Sequence, residues 1–377
     1  MREKPPPRWF LAFGVISRPG ALALHSRRPI RLHPLNAGSP CPTGHDVRMP
    51  QLLVDRASMS SPLPLMTAAE ARMLGHDPSA PQWHRVRRGI YVNRVAFDKL
   101  PPWRKYAVRV HAFVRLHPDA VLCLESAAVL LGLPLSDEPR DIHVYDPDRS
   151  ASRRFGDVCV HTSSDPREVI QVGGVFVTGM LDTTVDLARV LPPAFALAVV
   201  DAAIAPAQGG TLTSELLQHH ASAQQNQRGV AQLRWLWAHA DPRSESTGES
   251  ISRAVIEWCG FPTPVLQITF HYDGCTDRVD FLFEATKTIG ESDGWVKYKM
   301  QKDPQRATEL LKEEKRREDR LRRRGHPFAR WELRDVLRVT PLGDALHAAS
   351  VRRVRPSQAG MLATLRDRRR QARGSLR

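Results

Sequence analysis

The stretch that most constrains the fold is residues 264–294, PVLQITFHYDGCTDRVDFLFEATKTIGESDG. Apolar and polar residues alternate there with period two, and the alternation breaks at Asp273-Gly274 and again at Glu284–Lys287. An Asp-Gly pair between alternating runs is a strong hairpin signal, so the stretch predicts strands joined by tight turns. A four-residue loop at the second turn pairs Phe283 with Thr288, Leu282 with Ile289, Phe281 with Gly290 and Asp280 with Glu291. Directly opposed residues hold their Cβ atoms about 5 Å apart, where like charges destabilise the pair. Something positive is therefore expected between Asp280 and Glu291. Asp293, two residues beyond Glu291, projects from the same face of its strand. Three carboxylates beside an apolar strand form a candidate site for a hard cation, Mg²⁺ or Mn²⁺. A slip of one residue in the register would move Asp280 off that face.

The elements on either side are equally marked. Upstream, STGESISRAVIEWCGF predicts a helix in which Ser246 and Glu249 fit a capping box and Gly260 follows the end, which gives Glu249 a structural role. Downstream, Asp303 is a good N-cap, Pro304 a natural first position and Gly325 a natural stop. PQRATELLKEEKRREDRLRRR should then be one helix about 31 Å long. Ala307, Leu310, Leu311 and Leu321 share one stripe of it, with Glu314 and Glu318 in the middle. Glutamates in a buried stripe need basic partners or the metal. Arg278, Lys297 and Arg330 are the candidate partners, and Lys315 lies toward the edge of the same face. Arg316, Arg317, Arg320, Arg322, Arg323 and Arg324 crowd the end of the helix, more cations than Glu318 and Asp319 neutralise. HPFARWEL reads as a strand entering a short helix, and the tail, 341–377, is basic and reads as loose from about 351.

In the N-terminal half, MTAAEARMLGHD predicts a short helix opened by the Thr67–Glu70 capping box and ended by Gly75. HRVRRGIYVNR follows as a basic hairpin around Gly89. A helix and a basic hairpin suggest a winged-helix-like module over 61–98, although DPSAPQW between them is too short for a full recognition helix. Arg85, Arg87, Arg88 and Arg94 are either phosphate contacts or a solvated basic hairpin. From 99 to 240 helical and strand patterns alternate, with a hairpin turning at Gly173-Gly174. His143 and His161 fall in strands of this region, with no acid or nucleophile at a telling spacing, and read as structural. The expected class is thus α/β or α+β: the small N-terminal module, a mixed α/β middle region, and over 241–340 a mixed sheet flanked by helices.

Composition sets the partners. The 377 residues carry a formal charge of +15 and a pI near 10.2, which favours nucleic acid over a membrane surface. Arginine inflation by a high-GC genome is the competing explanation. No apolar run approaches the ~20 residues of a membrane helix. The five cysteines form no CxxC pair and signal neither a disulfide framework nor a zinc site, which fits a reducing cytoplasm. Residues 1–60 are rich in Pro, Arg and Ser and read as a disordered extension, with Met49 or Met59 as alternative starts. WFLAFGVI is too short, and followed too soon by Arg18, to be an export signal.

The helix with Glu249, the RVDF strand, GESDGWVKY and the EKRREDRLRRRG helix followed by a strand resemble the domain-of-unknown-function 559 proteins. These are relatives of the very-short-patch-repair (Vsr-type) endonucleases in the PD-(D/E)XK superfamily. MTAAEARMLG, RVRRGIYV, LESAAVLLGLPL, IHVY and VTGMLDTTVDLAR resemble AbiEi-family antitoxins of type IV toxin-antitoxin systems. Together the two resemblances cover roughly residues 60 to 340. They imply a restriction-endonuclease-like C-terminal domain, DNA as partner, and a cognate toxin. They also imply Asp280 as the motif aspartate, Glu291 as the acid of the (D/E)XK element and Glu249 as the helical acid, together holding Mg²⁺ that activates water for phosphodiester hydrolysis. The sequence departs from the pattern where a lysine is expected two residues after Glu291. Asp293 stands there, so proton handling would fall to Lys297 or Lys315. The alternative is an antitoxin-like regulator that keeps the nuclease fold as a scaffold.

Overall fold

The computed structural model describes residues 50–135, 138–293 and 304–366, without the side chains of Asp293, Pro304, Arg306, Ala307 and Leu311. The expected disordered extension lies outside the described residues up to position 49, as do Lys297 and Asp303. The mixed α/β class holds, and the N-terminal module comes first. After α1 (Leu53–Arg56), it comprises β1 (Met66–Thr67), α2 (Ala68–Met73), β2 (Trp83–Arg87), β3 (Ile90–Asn93) and α3 (Arg94–Asp98). Both bonds of the Thr67–Glu70 capping box form. The strands make an antiparallel sheet in the order β1-β3-β2, turning at Gly89 with φ 82°. No helix forms over residues 74–82, so the module has a wing-like hairpin and no recognition helix ahead of it.

The middle region begins with α4 (Pro102–Val114), β4 (Val121–Leu122) and α5 (Leu124–Leu131). Strands β5 (Ile142–Tyr145), β6 (Arg153–Phe155), β7 (Val158–His161), β8 (Val169–Val172) and β9 (Val175–Thr178) follow. They form a six-stranded sheet in the order β6-β7-β5-β4-β9-β8, with β5–β7 and β4–β9 parallel. Order starts earlier than 61, because Leu53 of α1 sits in the same core as α4 and α5 and Ser58 N donates to the Val129 carbonyl. Gly132, in the left-handed region at φ 74° after α5, permits that approach: a β-carbon there would meet the Leu53 carbonyl oxygen. Gly132→Ala should therefore cost roughly 2–5 kcal/mol, the sum of left-handed strain and a forced backbone shift, read as a lower midpoint in urea unfolding.

Helices α6 (Met180–Val190), α7 (Pro193–Ile204), α8 (Ser214–Ala223) and α9 (Val230–His239) come next, and α10 (Thr247–Trp258) opens the last region. Every residue of α7 is buried, as expected of a helix apolar on all sides that serves as a central layer. Its residues share one core with Ile251, Val255 and Trp258 of α10. Asp201 on α7 also takes Arg253 at 2.7 Å and the Asp241 backbone N–H at 2.9 Å. The boundary read at 240/241 is therefore a packed seam and not a linker.

The third sheet contains β10 (Val265–Tyr272), β11 (Cys275–Phe283) and β12 (Thr288–Asp293). The long helix α11 (Pro304–Arg323) then crosses to β13 (Phe328–Glu332), which lies parallel to β12 in the order β10-β11-β12-β13. A loose tail is expected from 351; within the described residues, up to 366, the segment is held at Val351 and Leu365, with 352–360 exposed between them. α12 (Leu333–Arg338) carries buried Val336 and α13 (Thr340–Ala348) buried Leu342 and Leu346; α14 (Ala359–Ala363) has no buried residue, and Val351 and Leu365 are buried on either side of it. The Gly260 carbonyl accepts from Val354 and Arg355 N–H, so the strip is fixed through its backbone where side chains are basic. No helix among the described residues is long and apolar enough to cross a membrane.

Candidate metal centre and nucleic-acid interface

The β11–β12 ladder falls in the register inferred from the sequence: Phe283 pairs Thr288, Leu282 pairs Ile289 and Phe281 pairs Gly290. Gly290 is required there, because a β-carbon would press on the Trp331 ring and on Phe281. Beyond this pair the Asp280 carboxylate accepts from Ser292 N–H at 3.0 Å. Asp280 and Glu291 are 6% and 1% exposed, a burial that a carboxylate tolerates only with partners.

The partner of Glu291 is a cation from α11. Arg317 Nη2 lies 2.6 Å and 2.7 Å from the two Glu291 oxygens, and its Nη1 donates to the Arg278 carbonyl. Arg330, beside Glu291 in the parallel β12–β13 ladder, stands 3.5 Å from the same carboxylate and 3.1 Å from both Glu314 and Glu318. The glutamates inside the helical stripe are thus matched by Arg330, one of the three partners considered, while Arg278 pairs with Glu245. Lys315 is exposed and makes no side-chain bond among the described residues. Arg317 reaches the strand because it falls three residues, nearly one turn, after Glu314 on the buried face, whereas Lys315 is rotated away by about 100°.

Glu249 is also occupied. Ser246 caps α10 by accepting from Glu249 N–H, and the carboxylate accepts from Ser246 Oγ at 2.7 Å, Glu245 N–H at 3.0 Å and Gln267 Nε2 at 2.9 Å. The reciprocal arm of the capping box thus goes to the Glu245 N–H and not to the Ser246 N–H. Gln267 makes its bond from a left-handed backbone, φ 55°. Burial raises the Glu249 carboxyl above its usual range, and the same cause raises Glu245.

In this arrangement two of the three acids, Glu291 and Glu249, turn their oxygens to protein donors. A hard cation needs carboxylate oxygens directed at it, and both oxygens of Glu291 and both of Glu249 are taken by N–H and O–H donors. Among the described residues no group of three or more His, Cys, Asp or Glu is disposed to hold a metal. The Asp293 side chain and Lys297 lie outside the described residues.

The arginines divide into anchored and unanchored sets. On the N-terminal hairpin, Arg87 forms two 2.9 Å bonds to Asp157 and Arg94 donates to the Pro81 and Trp83 carbonyls. Both of these serve structure. Arg85 and Arg88 are exposed, make no side-chain bond among the described residues, and border an open cleft of about 650 Å³ with Leu116 and His117. On α11, Arg320 is anchored to buried Asp277 at 2.6 and 2.7 Å. Arg322 pairs with Glu318 and lies over Phe328, while Arg324 pairs with Asp273 and lies over Tyr272. Arg316 and Arg323 are exposed and make no side-chain bond among the described residues. The helix is therefore more neutralised than its own sequence indicates, because Asp273 of the β10–β11 turn, Asp277 of β11 and Glu291 of β12 face it. No protein-family model matches the chain, and neither a curated protein nor a solved structure matches it.

Proposed function

We propose that this chain is a DNA-binding, antitoxin-like regulator whose C-terminal domain keeps a nuclease-like layout as a scaffold and does not hydrolyse DNA. Exposed Arg85, Arg88, Arg316 and Arg323 on a chain of charge +15 support the DNA partner. The observation that carries the scaffold reading is the Arg317 guanidinium on both oxygens of Glu291, where an active site would direct a carboxylate at metal. Asp293 in the position of the expected lysine points the same way. A cytoplasmic location and a cognate toxin belong to this proposal.

A second reading, metal-dependent DNA endonuclease, is favoured by one arrangement. Asp280 and Glu291 are buried on neighbouring strands, and the start of α10, which carries Glu249, abuts β12 where Gly248 meets Ser292. Plasmid and mismatch-bearing duplexes, incubated with the protein with and without Mg²⁺ or Mn²⁺, separate the two. The scaffold reading predicts retarded but intact DNA in every lane. Nicking that requires the metal and disappears in Asp280→Ala would replace it with the endonuclease reading.

A further inference from the structure

The six-stranded sheet brings together three groups far apart in sequence. His143 on β5 and His161 on β7 stack at 5.2 Å between centroids, and His143 Nδ1 lies 2.9 Å from His161 Nε2. The other nitrogen of His143 stands 3.4 Å from Glu125 Oε2, an oxygen from the first turn of α5 that is buried without a hydrogen bond. Around this row sit Asp141, ion-paired to Arg154 of β6 at 2.7 Å, together with Cys159 of β7 and Cys123 ahead of α5. Tyr106 of α4 bonds Ser126 and the Asp141 carbonyl, and Arg109 lies over its ring. Arg154 and Arg109 bring positive charge near the row and Arg167 acts on Cys123, while Arg154 is already held by Asp141.

We propose that Glu125, His143 and His161 form a proton wire that lets a half-buried carboxyl, its Oε2 sealed from water, exchange its proton through paired tautomer changes. In the protonated form Glu125 O–H donates to His143 Nε2, His143 Nδ1–H donates to His161 Nε2, and His161 Nδ1 carries the outermost proton. In the deprotonated form His161 Nδ1 has lost that proton to water. The proton on His143 Nδ1 has passed to His161 Nε2, and the Glu125 proton has passed to His143 Nε2. One proton leaves, both rings stay neutral, and the charge appears on Glu125. Closing the Glu125–His143 gap by about half an ångström gives ordinary hydrogen-bond lengths throughout. The row ends toward the surface at His161, which is half-buried.

Charging an imidazole is the unfavourable alternative. Burial holds both histidines down to about 4, and burial raises the Glu125 carboxyl above its ordinary range. An unfolded chain takes up protons on these rings below 6.5, while the folded one does so only near 4. Acidification through that window therefore weakens the fold, and it leaves tautomer exchange as the route at neutral pH.

The test is a pH titration of the full chain labelled with ¹⁵N-histidine, with His143→Asn and His161→Asn identifying the two rings. The expected result is one shared step, in which the nitrogens of both rings exchange pyrrole-like and pyridine-like shifts at the same midpoint. In Glu125→Gln the step vanishes from both rings. Separate midpoints, fixed tautomers between pH 5 and 9, or a step that survives Glu125→Gln would each overturn the wire. If Glu125→Gln fails to fold, the shared midpoint in the unaltered protein decides alone.

Discussion

Arg317→Ala is expected to destabilise the protein by about 3–5 kcal/mol, the range for removing one partner of a buried ion pair. Glu291 is 1% exposed, and Arg317 supplies the short contacts at 2.6 and 2.7 Å, while Arg330 stands farther off at 3.5 Å and is shared with Glu314 and Glu318. Without Arg317 the carboxylate stays buried with only part of its countercharge. Arg317→Lys should recover part of the loss, since a lysine keeps the charge but cannot reproduce the planar guanidinium. Arg316→Ala, one residue away and exposed, should change stability by no more than about 0.5 kcal/mol. Guanidinium unfolding followed by tryptophan fluorescence reads all three. Equal midpoints for Arg316→Ala and Arg317→Ala would show that the clasp on Glu291 contributes nothing.

Local patterns were legible, and contacts across the chain were not. The β11–β12 register followed from alternation and turn residues alone, because period two and loop length leave one pairing that buries Phe281 and Phe283. The long helix was marked by Pro304 at its start and Gly325, φ 86°, after its end. Arg317 on Glu291 was not visible, since it joins residues 26 apart and depends on how α11 is rotated over the sheet. The arginine count on α11 misled for the same reason: it omits Asp273 and Asp277, which arrive from the β10–β11 hairpin. The α7 layer did have a signal, twelve residues with one charge, Asp201, and that charge meets Arg253 across the seam. Glu125, His143 and His161 lacked any spacing that a motif would reveal, because three separate elements carry them to one face.

DNA binding is where the largest effect on function should appear, and the hairpin should carry more of it than the helix. Arg85 and Arg88 can meet phosphates without leaving another partner, whereas Arg322 and Arg324 must exchange Glu318 and Asp273. Those exposed pairs are worth about 0–1 kcal/mol, so the helix remains a secondary contact. Each phosphate contact adds about 0.9 to the slope of log affinity against log salt, so losing two removes about 1.8 and weakens binding roughly 30-fold near 0.15 M salt. The deciding measurement is the anisotropy of a labelled duplex titrated with protein across a salt series. The unaltered chain, Arg85→Ala/Arg88→Ala and Arg322→Ala/Arg323→Ala/Arg324→Ala are compared on several sequences. The account predicts a steep salt slope for the unaltered chain, flattened most by the hairpin pair, less by the helix triple, and alike for every sequence because phosphate contacts carry no base information. Salt-independent or absent binding by the unaltered chain, or unchanged affinity and slope in both folded variants, would contradict it.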